Sequence, residues 1–305
     1  MRVAQHRQSP DIRASLAAEW DVFALAALAL HNDVGRETAG RVFLRRVIAL
    51  LRTIADRPGQ LALAMQRCQT VLGDQTLLPL IWPDVSLPER VLVFHSVPLH
   101  YGDFSKYLID TLHAQPAAST LRSVADCLRS ATVACDEYSV LMIRETTVVV
   151  TKSRSDTPYQ NVPWKYSTHL MNIMTPGTLV IPYPWLTMSN KGKLINHADS
   201  ALVEMWSDMG WSLSPTISLP PDPATGCLRH GMCSRGVRVI GDCDSLVFRF
   251  DNPGSVFSLV PPSVGWILGG RGCGGAGCPE VVARTVFNPG ARVPRLSEAE
   301  LEDYE

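Results

Sequence analysis

Net charge is almost absent from this chain. Its 28 lysines and arginines face 29 aspartates and glutamates, for a formal charge of −1. Nothing global therefore draws it to nucleic acid or to an anionic membrane. Membrane-spanning runs are absent as well. The apolar run "VFALAALAL" at 22–30 falls far short of the roughly 20 residues that cross a bilayer. Glu19 and Asp21 stand before it, where a secretion signal carries positive charge, so the run predicts a buried helix. No G-x-S-x-G elbow, Walker loop or C-x2-C pair occurs, which removes three chemical signatures at once. Charged residues make up only 19% against 46% hydrophobic, a balance that fits a chain hiding extra surface against partners. The eight cysteines, spread over 68–278, form no regular framework and point to free thiols in a reducing, intracellular compartment.

What is present divides near residue 136. Residues 1–150 hold 5 Gly and 7 Pro, residues 151–305 hold 16 and 15, so a helical part should precede one of short strands and turns. Ser9-Pro10-Asp11 reads as a helix start. Ile12, Leu16, Trp20, Phe23, Ala27 and Leu30 step by three and four along one apolar stripe. A second helix from about Arg36 turns Phe43, Val47, Ile48, Leu51 and Ile54 inward and Arg41, Arg45 and Arg52 outward. Asp56 and Pro58 open a third, which should run through Leu61, Met65, Cys68 and Leu72 to Gly73. "RVLVFHSV" predicts a strand, and further helices are expected around 104–114 and 119–131. From "EYSVLMIRETTVVVTKS" onward the pattern is β, with a hairpin at Arg144-Glu145. Strands are expected at 177–183, 200–206, 213–219, 236–240, 245–250, 256–260, 264–268 and 281–287. The expected fold class is α+β, with a mainly helical N-terminal lobe (1–135), an antiparallel sandwich- or barrel-like lobe (136–296) and an acidic tail (297–305).

Several groups carry candidate chemistry, each beside a structural alternative. Cys227, His230 and Cys233 in "CLRHGMC", with Cys273 and Cys278 in "CGGAGC", supply soft ligands for zinc or simply pack as thiols. "GRGCGG" at 270–275 satisfies G-x-G-x-x-G, yet too little chain follows for a dinucleotide fold, so a turning loop is expected. Cys135 with His95 or His100 and Asp103 would make a nucleophilic set if the fold gathered them. His197, Asp199 and Glu204 can be written as ligands, although "ADSALVEMW" alternates like a half-buried strand. The Arg41/Arg45/Arg52 face is expected to be a solvated helix face.

Proline-flanked aromatics recur in the second part, in "NVPWKY" (161–166), "PYPWL" (182–186) and "LVPPSVGWILGG" (259–270). Proline cannot donate to a β-ladder, so these segments belong at strand ends or edges. Large apolar side chains on a stiff loop serve either to cap the chain's own core or to meet a partner. Three such segments point to partners, namely further copies or other shell subunits contacted around Trp164, Tyr183, Trp185 and Trp266.

Residues 167–206, "STHLMNIMTPGTLVIPYPWLTMSNKGKLINHADSALVEMW", resemble the late strands of jelly-roll capsid proteins from picornavirus-like viruses. The features that carry the likeness are Asn172, the strand ending at Pro182-Tyr183, the polar loop at 189–193, His197 and the apolar Leu202-Val203. Outside these residues the chain departs from that family, because helices stand where early strands would be. The resemblance implies a viral shell or shell-decorating protein with a β part of its own, found in the virion or host cytoplasm. The expected function is thus a non-enzymatic structural assembly protein without a cofactor, metal or catalytic residues. The alternatives are a Cys–His hydrolase or transferase, and a zinc-stabilised adaptor.

Overall fold

Polar caps set the first two helices. The Asp21 carboxylate accepts from the Ala24 N–H at 2.8 Å and starts α1 (Val22–His31). Asn32 does the same for Gly35 and starts α2 (Asp33–Arg52), each satisfying an orphan donor of a first turn. Proline opens α3 (Pro58–Arg67). The structure, a computed structural model, describes residues 17–87, 89–117, 135–195, 200–215, 237–242, 244–250, 265–268 and 284–287.

The chain then enters a sheet earlier than its periodicity implies. β1 (Thr70–Gly73) is followed by a 3-10 turn at Asp74–Leu77, a single helical turn α4 (Leu78–Ile81), β2 (Val91–Ser96), α5 (Pro98–Leu112) and β3 (Gln115–Pro116). After them come β4 (Cys135–Ile143), β5 (Thr146–Ser153), 3-10 turns at Pro158–Trp164 and Thr168–Leu170, β6 (Ile173–Met174) and β7 (Thr178–Ile181). The remaining elements are α6 (Pro184–Met188), β8 (Lys191–Lys193), α7 (Ser200–Asp208), β9 (Ser212–Ser214), β10 (Val237–Val239), β11 (Leu246–Arg249), β12 (Gly265–Ile267) and β13 (Arg284–Phe287).

Eight strands form one mixed sheet in the order β11-β7-β6-β1-β2-β5-β4-β3. All its pairings are antiparallel except β2 with β5. A three-stranded sheet, β10-β12-β13, and a parallel pair, β8 with β9, complete the described strands. Successive residues of a strand face opposite sides, and both sides of the large sheet are covered. Leu72, Leu92, Phe94, Val148, Val150, Leu179, Ile181 and Phe248 join a core built with α1, α2, α3 and α5. Phe43 of α2, for example, lies 5.3 Å from Phe248 and 5.0 Å from Phe250. The alternate residues Val71, Ile173, Val180 and Val247 pack on the other side with Tyr159, Tyr183, Leu186 and Trp266.

A mixed α+β architecture with helices early in the chain is therefore present, as expected. Among the described residues no closed barrel is formed, and the β part shares its large sheet with the first part. The large sheet takes strands from both sides of residue 135, and one core joins Phe43 to Phe248. The hairpin at Arg144-Glu145 forms as expected, with Arg144 at φ 56° supplying the left-handed turn residue. Three local expectations fail. The first helix turns Val22, Leu25, Ala26 and Ala29 inward, while Trp20 and Leu30 are exposed; a helix apolar on nearly every side has no unique inner stripe. The third stops at Arg67, because Thr70–Gly73 is claimed by β2 and β6. "SALVEMWSD" is helix α7, with Leu202 and Trp206 one turn apart on its buried face. The expected helix at 119–131, strand at 256–260 and acidic tail lie outside the described residues.

Candidate functional site

The face of β2 and β5 turned away from the helices carries an unusual load. Beyond Val91 and Val93 on β2 the same side presents His95, and beyond Val149 on β5 it presents Thr151. Against them lie Asp74, at the end of β1, Asn161 from the Pro158–Trp164 turn, and Lys165 just after it. All five are at most 2% exposed, so a carboxylate, an ammonium and an imidazole meet where water is excluded.

The local backbone explains how they come together. Asp74 adopts φ 63°, a left-handed conformation that aspartate tolerates better than most residues, and it turns the chain out of β1. The Thr76 hydroxyl pins this turn to β2, accepting from the Val93 N–H at 2.9 Å and donating to the Val91 carbonyl at 3.1 Å. Gly73 has no side chain because the His95 ring takes that space. A Cβ there would stand 2.6 Å from Nε2 and 2.8 Å from Cδ2. Gly73→Ala is expected to cost about 1–3 kcal/mol by displacing the ring, measured as a lower urea midpoint.

The His95 ring is held from both sides. The Asn161 Nδ2 amine donates to Thr151 Oγ1 at 2.9 Å and lies 3.2 Å from Nδ1. The Thr151 hydroxyl lies 2.7 Å from the same Nδ1 and 3.4 Å from the Phe94 carbonyl. Nε2 lies 3.5 Å from Asp74 Oδ2, and an acceptor-only carboxylate on that side favours the tautomer with the ring proton on Nε2. Lys165 Nζ stands 2.5 Å from Asp74 Oδ1. Burial alone would raise the Asp74 pKa, but the Lys165 ammonium and His95 hold it below the usual carboxylate value. Burial, followed by the charge of Lys165, pushes His95 down, against the pull of Asp74. The resting state is an ammonium–carboxylate pair beside a neutral imidazole. Thr151, His95 and Asp74 have the composition of a hydroxyl–imidazole–carboxylate triad. Every member is buried.

A second buried histidine lies nearby in sequence. The His169 ring packs 4.6 Å from Trp206 and 4.7 Å from Trp211, and its Nδ1 meets the Ser167 hydroxyl at 2.9 Å. Burial pushes its pKa down to about 3.

The set of Cys135, His95, His100 and Asp103 is not assembled. Cys135 opens β4 opposite Ser153, and burial raises its thiol pKa, the opposite of what a reactive thiolate needs. His95 is committed as described, and His100 pairs on α5 with Asp103 at 3.5 Å. Glu204 is exposed on α7, while His197 and Asp199 lie outside the described residues. So do Cys227, His230, Cys233, Cys273, Cys278 and the glycines at 270–275. Among the described residues no group of three or more His, Cys, Asp or Glu side chains could hold a metal ion. Arg41, Arg45 and Arg52 line the exposed side of α2, with Arg41 paired to Glu37.

The proline-flanked aromatics divide. Tyr183 and Trp266, expected at a partner surface, are 2% and 0% exposed. The Trp266 indole donates to the Tyr183 hydroxyl at 3.0 Å, and the Arg238 guanidinium lies 4.8 Å over the Tyr183 ring. Arg238 also donates to the Pro182 carbonyl and to both oxygens of Asp242. These two aromatics close the chain's own second core. Trp185, by contrast, is 40% exposed, with Lys191 Nζ 5.7 Å over its ring. Met188, one turn on along α6, is 50% exposed. The Trp164 side chain lies outside the described residues.

Among the described residues no helix is long and apolar enough to cross a membrane. Compared with protein-family models, curated proteins and solved structures, the chain matches none.

Proposed function

We propose that the chain is a structural assembly protein, a viral shell or shell-associated subunit, and that it meets its neighbours through α6. The observation that carries this reading is the pair Trp185 and Met188. They project from a helical turn fixed beneath by Leu186, Thr187 and Tyr183, all buried. A stiff ledge loses little entropy on docking, and a Trp–Met pair supplies the apolar contact typical of interface centres. The viral part of the proposal rests on the sequence likeness of residues 167–206. Of the features behind it, Pro182-Tyr183 follows β7 and the polar stretch at 189–193 leads into and forms β8, whereas Leu202-Val203 is helical.

Light scattering on the purified full chain tests the proposal. Discrete oligomers or closed assemblies are expected. Trp185→Ala combined with Met188→Ala should shift them to monomer while leaving the unfolding free energy, read from urea titration, within about 0.5 kcal/mol of the parent, as for other exposed positions. Trp266→Ala should instead unfold the second core, at about 3–5 kcal/mol. A monomer at every concentration, or oligomers unchanged by the double substitution, overturns the reading.

A further inference from the structure

Asp74 and Lys165 stand in an unusual relation for an ion pair. Both side chains are 3% exposed, and Nζ lies 2.5 Å from Oδ1. The amine nitrogen and the carboxyl group are thus held in contact away from water. At that distance from Oδ1 it is also within reach of Cγ, for which near-attack geometry asks roughly 3–3.5 Å between reacting atoms. The other oxygen, Oδ2, faces His95 Nε2 at 3.5 Å. In the tautomer that the carboxylate favours, the ring proton sits on this nitrogen, on the Oδ2 side of the carboxyl group.

We propose that Asp74 and Lys165 are a modification site at which the folded chain closes an intramolecular amide between Asp74 Cγ and Lys165 Nζ. One proton passes from the ammonium to Oδ1, which converts the ion pair into amine and carboxylic acid. The freed lone pair on Nζ attacks Cγ, and the Cγ–Oδ2 π electrons move onto Oδ2, where the His95 N–H stabilises the charge as an oxyanion donor. A second proton passes from Nζ to Oδ1. The Cγ–Oδ1 bond then breaks with its electron pair, water departs, and Oδ2 becomes the amide oxygen. One ammonium and one carboxylate give one neutral amide and one water, and His95 ends unchanged. No oxidant, reductant or activated donor is consumed.

The environment favours this outcome. Two charges held away from water carry a desolvation cost that the neutral amide removes. The same burial excludes the water that would hydrolyse the product. Fixed placement also turns the encounter of amine and acid into a unimolecular step. The bond would join the turn after β1 to the segment behind β5, a covalent tie between early and late parts of the chain.

Intact mass and peptide mapping of the full-length chain test the proposal. The expected result is a denatured chain lighter than its sequence by the mass of one water. A branched peptide should join the segments carrying Asp74 and Lys165. Lys165→Arg keeps the positive charge, cannot close the bond in this way, and should restore the full mass. A parent chain of full mass after prolonged incubation in the folded state overturns the proposal. So does loss of water without the branched peptide. Both of these outcomes are read on the parent protein and stand even if the Arg variant fails to fold.

Discussion

Lys165→Met is expected to leave the chain about 3–5 kcal/mol less stable than the double variant Lys165→Met/Asp74→Leu, because the single change leaves the Asp74 carboxylate buried with no cation to balance it. Asp74 is fully enclosed and its ionised form is held by Lys165 before His95, so no solvent takes over when the ammonium is removed. Asp74→Leu added to Lys165→Met should remove that penalty, since replacing both members of a buried pair by apolar groups is often near neutral. Neither variant can form the Asp74–Lys165 amide, so the difference between them reads the buried charge alone. Urea unfolding followed by tryptophan fluorescence measures it. Equal midpoints for the single and double variants would show that the carboxylate reaches water in the folded chain.

Acid should unfold the protein well above the range where carboxylates titrate. His169 moves from 6.5 in the unfolded chain to about 3 in the fold through burial. Its folded-state pKa is the lower one, so below 6.5 the unfolded chain binds the proton first and stability is lost as pH falls. The loss amounts to about 1.4 kcal/mol for each pH unit, continuing until the folded-state value is reached. His95 is also pushed down and acts with the same sign. Wherever Asp74 is present as the free carboxylate it is lowered as well, so its contribution is intact above the ordinary carboxylate value and is lost only at lower pH. Stability measured stepwise downward from pH 6.5 should fall with a slope that His169→Gln reduces by about 1.4 kcal/mol per unit. A flat profile in this window would mean that the Trp206–Trp211 box admits a charged imidazole.

Much of the architecture is legible in the residues, for local reasons. Phe43, Val47 and Leu51 fall at helical spacing opposite Arg41, Arg45 and Arg52, so the inner face of α2 is unambiguous. "RVLVFHSV" and "TTVVVTKS" are apolar or β-branched at nearly every position, as strands covered on both faces must be, and both are central strands. Where several outcomes satisfy the same local pattern, the residues alone point the wrong way. "CQTVLG" continues the helical period of α3, and only pairing with β2 and β6 makes it a strand.

The candidate site is less visible in the sequence. His95 stands out as a histidine ending an apolar strand. Asp74, Thr151, Asn161 and Lys165 do not, because nothing in their neighbours announces that four separate segments will converge. One hint lies in "VPWKYS", where a lysine sits among proline and aromatics with no acidic residue near it in sequence. A lysine so placed must either reach water or find a carboxylate elsewhere in the chain, and this one finds Asp74.

The helix-rich start, the β-rich remainder and the segments that must be buried each follow from spacing and side-chain chemistry within a few residues. Which faces those segments share was set only by long-range packing. It merged the two parts into one sheet, turned Tyr183 and Trp266 inward while leaving Trp185 outside, and set a lysine against an aspartate inside the core. Register and long-range pairing made those choices, and both depend on contacts between residues far apart in the chain.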